Sequence, residues 1–216
     1  RPRRDAMISE QPEVQYDTLE RQESTARFGM WVFLGSELLL FAGLLALYAA
    51  YRFSYPDDFR AAAEHANVLI GTTNTYVLLT SSLTVALALA AAKAEHRRRA
   101  LVLLAITIAL GIAFDVLKGV EYVQHWHDGF RFGRWYAYAP LPQHGAVLYF
   151  TLYYALTGLH ALHVTIGVGV LAFMWIRIWS GGVSVRRVTG LELGGLYWHF
   201  VDVVWIFLWP LLYLIK

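Results

Sequence analysis

The stretch from Gly190 to Leu212, GLELGGLYWHFVDVVWIFLWPLL, limits the fold of this chain more than any other. It is apolar enough to cross a bilayer, yet it carries Glu192, His199 and Asp202. At about 100° per residue, Glu192, Gly195, His199, Asp202, Ile206 and Trp209 fall on one helical face roughly 100° wide. An ionisable side chain at membrane depth costs about 2.5–3.5 kcal/mol or more unless it turns inward to a partner. That face therefore looks into a bundle, and other helices must answer it.

The remainder of the chain supplies them. Hydrophobic residues make up 57% and charged ones 16%, with a mean hydropathy of +0.44, which excludes an ordinary soluble domain. The fold class is all-α: a polytopic membrane protein with a bundle of five transmembrane helices. A polar amino-terminal tail, 1–26, precedes a transmembrane domain, 27–216, with spans expected at about 28–51, 68–92, 100–123, 146–179 and 192–215. Arg1 to Glu23 is polar and mixed in charge, so no cleavable signal precedes the first apolar run. The sequence contains no internal repeat, which argues against an inverted-repeat transporter. Cysteine is absent, which removes disulfides, thiolate metal sites, iron–sulfur clusters and cysteine catalysis. A net charge of +2 gives no reason to expect nucleic acid as a partner.

Basic residues set the orientation. With a cytoplasmic amino terminus, the inner side collects Arg1, Arg3, Arg4, Arg21, Arg27, Lys93, Arg97, Arg98, Arg99, Arg177, Arg186 and Arg187. The outer side holds only Arg52, Arg60, Arg131, Arg134 and Lys216, so the carboxyl terminus is expected in the periplasm. Helix rise then places Glu37 about 9 Å above Trp31 and Asp202 about 8 Å above Tyr197, with His163 near the midplane and His160 somewhat farther out. Glu37, His160, His163, Glu192, His199 and Asp202 thus read as a buried polar cluster, structural or proton-linked. His199 and Asp202, three apart, are expected to pair. Asp115, Lys118 and Glu121, also three apart, read as a self-neutralising charge cluster on one face of the third span, near the outer edge.

At this point the residues carry a resemblance. GLYWHFVDVVWIFLWPLLYL at Gly195 to Leu214, TGLHALHVTIG at Thr157 to Gly167, FLGSELLLFAG at Phe33 to Gly43, NTYVLLTSS at Asn74 to Ser82 and KGVEY at Lys118 to Tyr122 resemble subunit III of haem-copper terminal oxidases. The likeness covers most of the chain from Arg27 onward and is to the short five-helix bacterial form. It implies a subunit of cytochrome c oxidase with no catalytic residue, redox centre or metal of its own, haem and copper residing in partner subunits. Further implied are packing on subunit I beside subunits II and IV, bound phospholipid, and support of sustained oxygen reduction coupled to proton pumping, in the bacterial inner (plasma) membrane. The family's carbodiimide-reactive glutamate falls on Glu37. The longer members carry two more helices at the amino end, and a polar tail stands in their place here.

Other readings compete. His160 and His163 have the chemistry of haem ligands, but a bis-histidine site needs opposed histidines at matched depth, and core hydrogen bonding is the plainer role. His125, His127 and His144, placed on the long outer loop Gln124–Gly145, have the chemistry to bind zinc, though solvated loop histidines are commoner. Glu37 reads either as a protonated core carboxyl donating a hydrogen bond or as a proton-linked or lipid-ordering group. Ala161, Thr165 and Gly169 form a small-residue stripe suited to close helix packing. Arg97, Arg98 and Arg99 suit lipid phosphates, although topology alone accounts for them. The functional alternatives are a subunit of a quinol oxidase or nitric oxide reductase and, more distantly, an independent proton-coupled transporter using Glu37, His199 and Asp202.

Overall fold

The structure, a computed structural model, describes residues 18–141, 143–181 and 188–214. The orientation argument also used Arg1, Arg3, Arg4, Arg186, Arg187 and Lys216, which lie outside the described residues. Helices α1 (Leu19–Ser54), α2 (Pro56–Ala63), α3 (Val68–Lys93), α4 (Arg97–Asp128), α5 (His144–Trp179) and α6 (Thr189–Trp209) follow in order. A 3-10 turn, Gly133–Trp135, precedes α5, and a π-helical turn, Pro210–Leu214, ends the chain. Five of these segments are long and apolar enough to cross a membrane, α6 doing so together with the π turn.

By internal packing the chain divides into Arg1–Leu39 and Leu40–Lys216, with α1 running from one unit into the other. Within the first unit, α1 starts at Leu19, inside the stretch expected as tail. The Arg21 amide donates to the Thr18 hydroxyl at 3.2 Å, an N-capping bond, and Arg27 lies 3.8 Å from Glu23 one turn earlier. Glu37 stands on α1 in this unit.

The second unit is built around α6, the helix with the largest buried share of the five spans. Its aromatic side chains fit because the facing helices offer glycine. At Gly111 on α4 a Cβ would sit 2.6 Å from both Trp198 and Val168, and at Gly167 on α5 it would sit 2.8 Å from Trp198. Trp198 is therefore sandwiched between two bare backbones and has no exposed surface. α3 and α4 form a close hairpin because Ala88, Ala92 and Ala100 are small and fully buried at its closed end. Thr84 and Thr107 bond across that hairpin at 2.8 Å.

Two connections differ from the sequence expectation. The segment between the first and second expected spans holds α2, opened by Pro56 at its first turn and anchored where the Gly145 amide donates to Asp58 Oδ2 at 3.0 Å. α4 extends to Asp128 and stops at Gly129, whose φ of +92° suits glycine and lets its amide bond the His125 carbonyl. His125 is consequently helical and buried, packed on Phe130, Phe150 and Tyr153, whereas His127 and His144 are exposed. The loop reading of His125 is thus corrected: aromatic side chains of α5 cover the last turn of α4. Among the described residues no three His, Cys, Asp or Glu side chains gather as a metal site.

Candidate functional site

The polar face of α6 is answered first by hydroxyls on α3. Trp198 Nε1 donates to Ser81 Oγ at 2.9 Å, Trp205 Nε1 donates to Thr75 Oγ1 at 3.0 Å, and Ser82 Oγ meets His199 Nδ1 at 2.7 Å. Thr75 and Ser82 are seven apart, two helical turns, so one stripe of α3 serves two levels of α6. The NTYVLLTSS run carried this signal, but its spacing does not reveal which helix it faces.

His199 and Asp202 do not pair. Among the described residues no ion pair joins them, and His199 turns to Ser82 instead. The i, i+3 spacing permits a pair without compelling one, and the facing helix brings a hydroxyl within 2.7 Å of the His199 ring. Asp202 is 4% exposed and neither carboxylate oxygen has a hydrogen-bond partner by geometry. Ser82 bears electrostatically on Asp202 as well, but its short contact is the one to His199.

The imidazoles of α5 have separate surroundings. His163 Nδ1 lies 2.7 Å from the Leu159 carbonyl, which can only accept, so this nitrogen carries the proton. Its ring lies 5.2 Å from Phe41 and 6.4 Å from Tyr197, whose hydroxyl donates to the His163 carbonyl at 3.1 Å. His160, with no exposed surface, packs against Trp205 at 5.0 Å and Phe114 at 5.5 Å. Glu192 stands apart from all of these: it pairs with Lys93 at 2.7 Å, joining the carboxyl end of α3 to the first turn of α6. Its place on the inward face is real, but the helix ends bring a lysine to it.

The charges of α4 do not form one surface cluster. Lys118 and Glu121 are 1% and 0% exposed, deep between α4, α5 and the π turn. Lys118 Nζ donates to Glu121 Oε2 at 2.8 Å, Tyr153 OH at 3.0 Å and Tyr213 OH at 2.5 Å, which uses all three ammonium protons. Tyr213 OH in turn donates a hydrogen bond to Glu121 Oε1 at 2.9 Å. The Tyr153, Tyr213 and Trp205 rings surround the ammonium at 4.7, 5.2 and 5.3 Å from their centroids. Asp115, one turn away, points elsewhere and accepts from Thr165 on α5 at 3.0 Å. Each three-residue step falls about 60° short of a full turn, so Asp115 stands about 120° around the helix from Glu121, at the edge of the buried stripe that holds Lys118 and Glu121.

The tyrosines also secure the carboxyl end. Pro210 has no amide proton, and the turn after it widens to the π form. Its Leu211 and Leu212 carbonyls accept from Tyr48 and Tyr149 at 3.1 and 2.7 Å. From the sequence Tyr48, Tyr153 and Tyr213 read as part of an outer aromatic belt, but all three are buried, and their hydroxyls become visible as a set only when the helices converge. At the other end of the bundle, Arg97 donates to the Ile178 and Trp179 carbonyls at 2.9 and 2.7 Å, closing α5, so this arginine acts on a helix end. Outside the spans, burial and the neighbouring Tyr138 push the Tyr136 hydroxyl up to about 12, and it donates to the Leu141 carbonyl at 2.8 Å.

Chemically, this interior neutralises charge and fixes helix positions. Known proteins are similar to this chain along most of its length. Residues 6–216 match the family described as cytochrome c oxidase subunit III. The chain is 33% identical over 186 residues to cytochrome c oxidase subunit 3 of Bacillus subtilis, covering 86% of this chain and 84% of that one. The protein of the same name from Alkalihalophilus pseudofirmus is 32% identical over equal shares. Quinol oxidase subunit 3 of Bacillus spizizenii is 28% identical over 204 residues, 91% of each chain. Together with five helices long and apolar enough to cross a membrane, these similarities place the chain in the cytochrome c oxidase subunit III family, as a multi-pass membrane subunit of an oxidase complex.

Proposed function

We propose that this chain is the subunit III of a bacterial cytochrome c oxidase, without a redox centre of its own, and that it packs on the catalytic subunit I beside subunits II and IV in the plasma membrane. Its amino terminus is cytoplasmic and its carboxyl terminus periplasmic, which the distribution of arginine and lysine supports. The role is to hold phospholipid at the complex and sustain oxygen reduction coupled to proton pumping. The match to the subunit III family across residues 6–216 carries this reading. Cytochrome c as donor is favoured because the relatives named for it are 30–33% identical, against 28% for the quinol oxidase subunit.

Purification of the complex through a tag on this chain tests the proposal. A haem spectrum and oxygen uptake with reduced cytochrome c are expected. Uptake with quinol alone would move the chain to a quinol oxidase, a nitric oxide reductase partner would move it to that group, and purification without any haem partner would sink the proposal.

Two residue roles follow. Glu37 is expected to be the site of carbodiimide labelling, and Glu37→Gln should abolish the label while the complex still assembles; labelling that persists in the variant defeats the assignment. Asp202 was expected to stabilise the bundle by pairing with His199, but His199 has its own partner in Ser82. Asp202→Asn is therefore expected to leave the subunit in the complex, because no buried partner is stranded, and to shorten activity during prolonged turnover if the carboxyl is proton-linked. Loss of the Asp202→Asn chain on purification would restore the structural role.

A further inference from the structure

A hydroxyl of α3 stands between two ionisable groups of α6. Ser82 Oγ lies 2.7 Å from His199 Nδ1, and the same hydroxyl bears on the Asp202 carboxyl without the geometry of a bond. His199 and Asp202 are three apart on one helical face, so a group within bonding distance of one stands beside the other. Asp202 is 4% exposed and neither of its oxygens has a hydrogen-bond partner, whereas His199 is half-buried. The three thus run from a partly open imidazole, through a hydroxyl, to an enclosed carboxyl.

The other ionisable groups of the packed helices are committed elsewhere. α3 carries no charged residue but Lys93, which pairs with Glu192 about 10 Å along α6 from His199 at 1.5 Å per residue, and its Tyr76 is exposed. On α5, His163 Nδ1 is held by the Leu159 carbonyl and His160 lies against Trp205 and Phe114. On α4, Lys118 bonds Glu121 and Asp115 accepts from Thr165; from Leu40 onward α1 carries only Arg52, which donates to Tyr48 OH at 3.2 Å.

A serine hydroxyl has one proton and two lone pairs, so it can serve both neighbours in two arrangements. In one, a protonated Asp202 donates to Ser82 Oγ, Ser82 donates to a bare Nδ1, and Nε2 carries the imidazole proton. In the other, Nδ1–H donates to Ser82 Oγ, Ser82 donates to the Asp202 carboxylate, and Nε2 is bare. The two differ by one proton, and the direction of every bond reverses between them.

We propose that Ser82, His199 and Asp202 form a proton-exchange site, in which the Ser82 hydroxyl links the buried carboxyl to the half-open imidazole. The Asp202 O–H bond breaks as its proton joins Ser82 Oγ, and the former Ser82 proton forms the Nδ1–H bond. The Nε2 proton leaves to a water molecule at the surface of the bundle. One proton is lost in all: the carboxyl ends as a carboxylate, the imidazole stays neutral, and the reverse sequence reloads the site. The proposal rests on the proton-linked reading of Asp202 and adds the residue through which that carboxyl reaches the outside.

The test is hydrogen–deuterium exchange of the Asp202 carboxyl in the purified complex, followed by infrared spectroscopy after a switch to heavy water. The protonated-carboxyl band that Asp202→Asn removes identifies the group, and its downshift on deuteration gives the exchange rate. Ser82→Ala should slow that exchange roughly tenfold, whereas Ser82→Thr, which keeps the hydroxyl, should exchange as wild type does. An Asp202 band absent at every pH, a Ser82→Ala rate equal to wild type, or equal slowing in Ser82→Thr and Ser82→Ala would each overturn the proposal. Should the Ser82→Ala chain fail to assemble, His199→Gln decides: an amide cannot take a proton on one side and release one on the other, so exchange should slow to the same extent, and an unchanged rate overturns the relay. The haem spectrum of the same preparation reports the oxidase assignment independently, so a normal spectrum with unaltered exchange refutes the relay and not the function.

Discussion

Replacing Lys118 by methionine is expected to remove this subunit from the purified complex. The ammonium gives one proton each to Glu121, Tyr153 and Tyr213, and none of these four side chains has more than 1% of its surface exposed. Without it, Glu121 keeps only the Tyr213 hydroxyl as a donor, and Tyr213 loses a donor in turn. Breaking a buried ion pair in this way costs about 3–5 kcal/mol, against a total stability of roughly 5–15 kcal/mol for a typical domain. The pair as a whole is worth far less than that, because both ions were desolvated to form it. Lys118→Met combined with Glu121→Gln should therefore recover most of the loss, since a neutral amide still accepts from Tyr213. Retained subunit after detergent purification, quantified by gel against the catalytic subunit, reads out both variants. Wild-type retention of the single variant would show that the charge is not what holds α4 to α5 and the π turn, and a double variant no better than the single would show that packing, not the stranded carboxylate, sets the loss.

The second large effect is steric. Gly111→Ala is expected to destabilise the subunit by about 1–3 kcal/mol, because its Cβ would lie 2.6 Å from the Trp198 ring and from Val168. Trp198 cannot retreat: it is fully buried, Gly167 closes on its other side, and its indole nitrogen is tied to Ser81. Gly119→Ala on the same helix provides the contrast. Nothing lies within 4 Å of that Cβ, so the change should be neutral or slightly stabilising, as alanine is the better helix former by about 0.5–1 kcal/mol. Gly111→Ala with Trp198→Phe should recover part of the loss by freeing space. Thermal unfolding of the detergent-solubilised complex, followed by release of this subunit, measures the series. Equal midpoints for Gly111→Ala and Gly119→Ala would contradict the packing described for α6.

Much of this was legible along the chain. Five spans, their order and the inward polar face of α6 follow from hydropathy and 3.6-residue periodicity, because a bilayer imposes both length and internal hydrogen bonding on every crossing segment. The motifs at Asn74 to Ser82, Thr157 to Gly167 and Gly195 to Leu214 point to the family from the sequence alone. The reading was weaker at the ends of elements. Leu19 to Ala26 is helical because local capping and an i, i+4 pair continue α1, and Gln124 to Asp128 is helical because aromatic rings of α5 cover it. Neither cause is a matter of hydropathy.

What the sequence determined by itself, then, is that certain polar groups had to find partners inside an apolar bundle; the tertiary structure alone decided which. Spacing put His199 beside Asp202 and Asp115 beside Lys118, since neighbours on one helix are all that a linear pattern can rank. The folded chain gave His199 to Ser82, a residue 117 positions away, gave Lys118 to Tyr213, 95 positions away, and gave Asp115 to Thr165, 50 positions away. In a medium without water, a hydrogen bond goes to whichever donor or acceptor the packing brings within about 3 Å in good geometry, and packing is set by the glycines and alanines that let helices close together. Sequence spacing fixes the face on which a group stands, and the contact it makes is chosen by the helix that lands there.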